Sequence, residues 1–261
     1  MRFYKFREIR GELAKDYALE ALINSYAIFS GRKNFNDLFD SKIHIEQPTP
    51  QQVLALLQDT NIGEHATTVD QWVANGAFTA DGLRDMSKNE AALNELFDSY
   101  PIYSLSSRND CHLLWAHYAA SHTGFCVEFE FPGDEPAPVT YREHIETIPL
   151  LDFVKSKLGL LGADFGTRVY DALMVKLECW DYEGEYRWIA SNAMGRVPKG
   201  HKFIKVPYQR PWVKAVIFGC RMNTDAKNYI RKYLPFNVEF KQATETIDRI
   251  EIVAFDEALH R

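Results

Sequence analysis

The sequence predicts an α+β fold, a single domain over residues 1–261 with a mixed or antiparallel β-sheet core and a helical insertion at about 47–100. Three observations predict it. Short segments rich in aromatic and β-branched residues recur along the chain, each bounded by turn residues. The helical stretches between them are unequal and lack the regular strand–helix–strand spacing of a doubly wound sheet. The segment 180–188, WDYEGEYRW, alternates without a break between aromatic and charged side chains, the period-two signature of a strand with two unlike faces.

The elements follow in order. Residues 3–7 read as an edge-like strand, followed by a helix over 13–25 in which Leu13, Tyr17, Leu22 and Ile23 keep a helical period, and by an extended piece at 26–30. The box Asn34-Phe35-Asn36-Asp37-Leu38-Phe39-Asp40 is turn-like, because its short polar side chains bond their own backbone. In the insert, Thr49 is placed to cap a helix whose first turn holds Pro50, Gly76 to end the next, and a third runs from Thr79 or Ser87 to Asp98. A strand at 102–106, a helix at 110–121 and a strand at 124–131 come next. The prolines at 132, 136 and 138 mark a surface turn. A strand at 139–141 and one long helical stretch over 150–177 lead to the alternating segment. Strands at 202–208 and 213–219, a helix opened by Asn223 and Thr224, and strands at 238–242 and 249–255 close the chain.

Composition excludes several classes. A hydrophobic fraction of 46% with 13% aromatics is incompatible with disorder. A net charge of −6 removes any global electrostatic basis for coating nucleic acid, while leaving a local basic site open. No apolar run approaches the about 18 residues needed to span a bilayer, so no membrane partner is expected. The opening MRFYKFREIRGE lacks the apolar core of a signal peptide. Cys111, Cys126, Cys179 and Cys220 are scattered without CxxC spacing, which favours reduced thiols and a cytoplasmic location.

Several boxes bear chemistry. Lys5 and Arg7 share one face of the first strand, where two cations can hold a phosphate; the plainer reading is a charged edge strand. Asn36, Asp37 and Asp40 offer hard oxygen ligands for a metal or ribose, against the plainer reading of a self-capped turn. Ser104 and Ser106 share a strand face and can orient a carboxylate; they precede Arg108, Asn109 and a helix carrying His112, Trp115, His117 and Tyr118. No GxSxG elbow surrounds either serine, and His117 and His122, five apart, do not have zinc-protease spacing. P-loop, GxGxxG and kinase motifs are missing. In the alternating segment Asp181, Glu183, Glu185 and Arg187 share one face, with Trp180, Tyr182, Gly184, Tyr186 and Trp188 on the other. Same-face neighbours stand about 6.5–7 Å apart, so both glutamates can reach one ligand. The plainer reading is the wet face of a half-buried sheet.

Together, Tyr4-Lys5-Phe6, Phe35-Asn36-Asp37-x-Phe39-Asp40, Ser104-Leu105-Ser106, Trp115-x-His117-Tyr118-Ala119, His122-x-Gly124-Phe125-Cys126 and Trp180-x-Tyr182-Glu183-x-Glu185-x-Arg187 resemble a widespread bacterial family of unknown function. Its second box usually reads FNDPFD and its fourth MWSHYA, so Leu38, Leu114 and Ala116 are departures here. More distantly, the order Arg7, Ser104/Ser106, Glu183/Glu185 resembles ADP-ribosyltransferases of the arginine–serine–glutamate type. That resemblance implies a split β-sheet, NAD as substrate and a macromolecular acceptor. It implies that Arg7 holds the diphosphate or ribose, that Ser104 or Ser106 braces a glutamate, and that Glu185 stabilises an oxocarbenium-like transition state. Glu183 then orients the acceptor. Tyr4, Tyr118 or Trp180 would stack on a base, and His117 would line the same NAD site. A toxin or phage-defence effector, restrained by an antitoxin or a defence-system partner, fits this picture.

Two other classes stay open at this point. One is a magnesium-dependent nuclease using Asp37, Asp40, Glu183 and Glu185. The other is a non-enzymatic sensor or partner-binding module that docks through the insert, with Glu183, Glu185 and Arg187 as a surface ion-pair ladder.

Overall fold

A computed structural model describes residues 1–58, 62–133, 136–161, 164–190 and 195–259. The chain forms two compact units: Met1–Ser30, Pro101–Val139 and Cys179–Arg261 make the first, Gly31–Tyr100 and Thr140–Glu178 the second. The first unit opens with β1 (Phe3–Arg7), α1 (Tyr17–Ile23) and β2 (Tyr26–Ser30). The chain then builds β3 (Ile43–Glu46), α2 (Pro50–Leu56), α3 (Ala66–Asp70), β4 (Val73–Ala74), β5 (Ala77–Phe78) and α4 (Ala80–Ser99) of the second. It returns for β6 (Ile102–Ser106), α5 (His112–Tyr118), β7 (Phe125–Phe129) and β8 (Ala137–Pro138). The second unit is completed by β9 (Thr140–Arg142), β10 (Glu146–Pro149), α6 (Leu150–Lys157), α7 (Asp164–Leu173) and β11 (Val175–Leu177). The first ends with β12 (Glu185–Ile189), β13 (Phe203–Pro207), β14 (Val213–Phe218), α8 (Thr224–Tyr233), β15 (Glu239–Glu245) and β16 (Ile250–Ala254).

The first unit is built on one mostly antiparallel sheet, β13-β2-β6-β1-β7-β14-β15-β16, in which only β14 and β15 run parallel. β12 pairs β6 along its whole length, and β8 adds to β12. The other edge of β6 is shared: β2 takes its start through Ser30 and Ile102, β1 its end through Tyr4 and Ser106. The sheet therefore forks at β6.

Both faces of the sheet are covered. On one, Phe3, Tyr103, Leu105, Val127, Phe129, Val216 and Phe218 pack with Leu19 and Leu22 of α1 and Ile230 of α8. On the other, Phe6, Cys126, Ile217 and Ala243 pack with Leu114 and Trp115 of α5, and Trp115 meets Phe6 edge-on at 5.0 Å. Double coverage explains why all five residues of β7, including Glu128, are buried. Asp16 starts α1: its Oδ1 accepts from the Ala18 and Leu19 amides at 2.9 Å, and its Oδ2 from the Arg10 amide at 2.7 Å.

In the second unit, β3 pairs β10 and β9 pairs β11, both parallel, and β4–β5 is a short hairpin. Thr49 and Gln52 form a full capping box on α2, and Thr79 caps the 20-residue α4. Arg32 ties the unit together, donating to Asp98 at 2.9 Å, Asn94 at 3.0 Å and the Ser41 carbonyl at 3.1 Å. The helices expected at 47–100 form, as part of this larger unit rather than alone.

Two expectations need correction. The helical stretch 150–177 divides into α6, α7 and a strand: α6 stops at Gly159, whose φ of +72° suits a helix end, and Val175–Leu177 pairs β9. A short apolar run has no periodicity to tell strand from helix. Gly76 does not end a helix; with Asn75 it turns the β4–β5 hairpin at positive φ. Among the described residues no helix is long and apolar enough to cross a membrane.

Candidate functional site

Strand register builds a polar row across the forked sheet. Glu185 of β12 stands opposite Ser106 of β6, Ser106 opposite Tyr4 of β1, and Tyr4 opposite Glu128 of β7. All point to the face that carries Phe6 and Cys126, and Glu185, Ser106 and Glu128 are each at most 4% exposed. Glu128 bonds Lys241 at 2.9 Å and pairs with Arg2. Tyr4 titrates above the ordinary phenol range, mainly through burial, helped by Cys126 and Asp110 and opposed by Lys241 and Arg2.

The unbroken alternation over 180–188 does not survive as one strand. Glu178–Glu183 is a 3₁₀ helix, and the strand begins only at Glu185. The break is Gly184, at φ +51°, where a Cβ would lie 2.5 Å from Ser107 Oγ. Serines pin this turn. Ser106 Oγ donates to the Glu183 carbonyl at 2.5 Å and accepts from the Arg108 amide at 2.9 Å. Ser107 donates to the Gly184 carbonyl from its amide at 2.9 Å and its hydroxyl at 3.1 Å. Serine thus braces the backbone beside Glu183, where a carboxylate was expected to be braced.

Glu183 reaches the site from this turn. Its Oε1 accepts from Tyr118 Oη at 2.7 Å, and the residue is buried. An aromatic rim lies alongside: the exposed His117 ring stands 6.2 Å from Trp180, and Trp180 5.8 Å from Tyr182. Glu185 is held differently. Arg187, two residues along the strand, donates to its two oxygens at 2.8 and 3.3 Å, and the guanidinium has no exposed surface. Ser104 is half-buried opposite Arg187.

Arg7 is the expected residue that the fold takes away. It shares its strand face with Phe3 and Lys5, opposite to Tyr4 and Phe6, by the alternation of β1. It stands beside Tyr103, whose hydroxyl burial pushes up to about 12 while the Arg7 charge pulls the other way. Tyr208, beside the same pair, is raised further by burial. Lys5 donates to the Ser104 carbonyl at 2.6 Å and sits 4.8 Å over the Tyr103 ring. Arg7 therefore does not converge with Ser106 and Glu185, because an odd–even difference in strand position puts the sheet between them. The cation that stands near the glutamate turn is Arg108. It is exposed, its Nε lies 3.4 Å from where a Gly184 Cβ would be, and it has no carboxylate partner among the described residues. The sequence offered one signal for it, adjacency to the Ser-x-Ser pair. Glu128 was missed because an acid inside an otherwise apolar strand reads as an interruption.

In the second unit, Asp37 Oδ1 accepts from the Phe39 amide at 3.0 Å, and Asp40 pairs with the buried Lys176 at 3.5 Å. Among the described residues no group of three or more His, Cys, Asp or Glu side chains is arranged to hold a metal ion. The acids of the nuclease alternative thus form no such group. No family model, no curated protein and no solved structure matches the chain. The site gathers two buried carboxylates, one held by a phenol and one by a guanidinium, beside an aromatic rim.

Proposed function

We propose that the chain is an NAD-consuming enzyme of the ADP-ribosyltransferase type, moving ADP-ribose to a macromolecule or, failing an acceptor, to water. One observation carries this: a buried glutamate, Glu183, held by Tyr118 at a serine-pinned turn on a forked antiparallel sheet. Breaking the bond between ribose C1′ and nicotinamide leaves positive charge on the ribose as nicotinamide departs with the electron pair. A fixed carboxylate in a dry site opposes that charge without reorganising. Glu183 takes this role and then receives the acceptor's proton as the acceptor bonds to C1′. Glu185, already engaged by Arg187, positions the strand and the ribose hydroxyls. Tyr4 and the rim of His117, Trp180 and Tyr182 stack on a base. Arg108 replaces Arg7 at the diphosphate. An acceptor protein or nucleic acid, a bacterial toxin or phage-defence role and a reducing, cytoplasmic setting belong to the same proposal; the four free cysteines suit that setting.

Labelled NAD, incubated with the protein and a cell extract, tests it. Label transfer or nicotinamide release is expected, falling about 100-fold or more in Glu183→Gln with melting unchanged. Absence of transfer, of release and of any thermal shift with NAD would end the proposal. A binding module is the second reading, favoured by the burial of Glu185 against Arg187. Under that reading Glu183→Gln, which leaves the buried Glu185–Arg187 pair intact, keeps its cellular phenotype.

A further inference from the structure

The second unit contains a cavity of ≈ 300 Å³ at the carboxyl ends of the parallel strands β3 and β10. The last register pair, Glu46 and Pro149, forms its rim, where the chain leaves β3 for α2 and β10 for α6. Carboxyl ends of parallel strands are where α/β sheets take ligands, since the connections diverge there. The volume is at the small end of the about 300–1,000 Å³ of ligand pockets, sized for a metabolite rather than a folded segment.

Most of its polar lining is already engaged. Gln52 is committed to the Thr49 capping box, Gln47 donates to Glu90 at 3.0 Å, and Asp152 bonds Arg168. Glu46 and Lys155 are different: among the described residues neither makes an ion pair or a side-chain hydrogen bond. The exposed Glu46 and the half-buried Lys155 both line the cavity without pairing with each other, so a carboxylate and an ammonium are each available to a ligand there. The buried Pro48 and Leu151 give the cavity an apolar wall. Pro149 brings no side-chain cap to α6, so the first amides of that helix are left as donors at the Pro149 end of the cavity.

We propose that this cavity binds a free α-amino acid. Lys155 takes its carboxylate, Glu46 its ammonium, and Pro48 and Leu151 its side chain. The site is independent of the NAD proposal and would let the second unit report amino-acid supply.

Calorimetry and thermal shift on the full chain, with the twenty free L-amino acids as probes, test this. At least one is expected to bind. Lys155→Met and Glu46→Gln should each weaken it about tenfold or more, and the N-acetyl and carboxamide forms of that amino acid should fail. Both variants replace side chains engaged in no fold contact, so they keep any nicotinamide release, and the two proposals fail separately. The inference is overturned if no amino acid binds at 10 mM, a concentration set about tenfold above a weak millimolar site. It is equally overturned if binding survives in both variants, or if the blocked forms bind as well.

Discussion

Arg187, a guanidinium with no exposed surface, bonds a carboxylate only two positions away on the same strand. Taking both charges out of water is expensive, and mutual attraction recovers that cost only while both partners are present. Losing one is therefore worse than losing both. Arg187→Met or Glu185→Leu alone should cost about 3–5 kcal/mol, and the double Glu185→Leu, Arg187→Met variant clearly less than the sum. Urea unfolding of the four proteins measures this, and additive costs would mean the pair is not the energetic unit. Residue identities here are legible in the sequence. WDYEGEYRW named Glu183, Glu185 and Arg187 and put all three on one face; only Glu185 and Arg187 lie on the strand. Gly184 was read as a neutral member of the aromatic face. Its positive φ, which ends the alternation, is invisible in a pattern of polarity.

At the scale of elements, the exit of α5 is costly. Ala120, Ser121 and His122 all have left-handed backbones, with φ of 47°, 53° and 72°, each worth about 1–3 kcal/mol of strain. The strain is held by backbone bonds: the Ser121 amide to Ala116, His122 to Trp115 and Gly124 to Ala119. Packing adds to it, since a Cβ on Gly124 would meet the Arg7 carbonyl and one on Gly219 the His122 carbonyl. The His122 imidazole is held below the ordinary histidine value by burial first, then by Arg221 and His112, with Glu245 opposing. The folded state therefore resists a proton that the unfolded chain accepts. Stability attributable to His122 is intact above the unfolded value of about 6.5. It declines as pH falls through that value and is fully lost below the depressed folded one. Melting temperatures between pH 8 and pH 5 should show this fall, and His122→Asn, which tolerates the backbone, should flatten it; an unchanged slope would refute the assignment. The HxGFC box was readable as a motif. Its reason lies in three chain segments that meet only after folding.

For the whole molecule, chain order and architecture diverge. Five alternating segments make two units, so the insert seen between 47 and 100 gains β9 to α7 and β11 from a later stretch. Thiol chemistry separates surface from core. Cys126 is fully buried and its thiol is pushed well above the ordinary range by that burial, whereas Cys179 is exposed. Iodoacetamide at neutral pH should label Cys179 in the native protein and Cys126 only on unfolding. Equal native rates would contradict the doubly covered sheet.

The sequence by itself determined the longer strands of the first unit and most helices, because periodicity, caps and turn residues act within a few positions of each other; the short strands β3, β4, β5, β8, β10 and β11 carried no such signal. It also marked the acidic and aromatic side chains of the candidate site. Tertiary structure alone decided which side of the sheet each one faces. Moving one residue along a strand turns a side chain through the sheet, so Arg7 went to one face while Tyr4, Ser106 and Glu185 lined up on the other. Register between distant strands, set by how two apolar faces are buried at once, is a property of the folded whole.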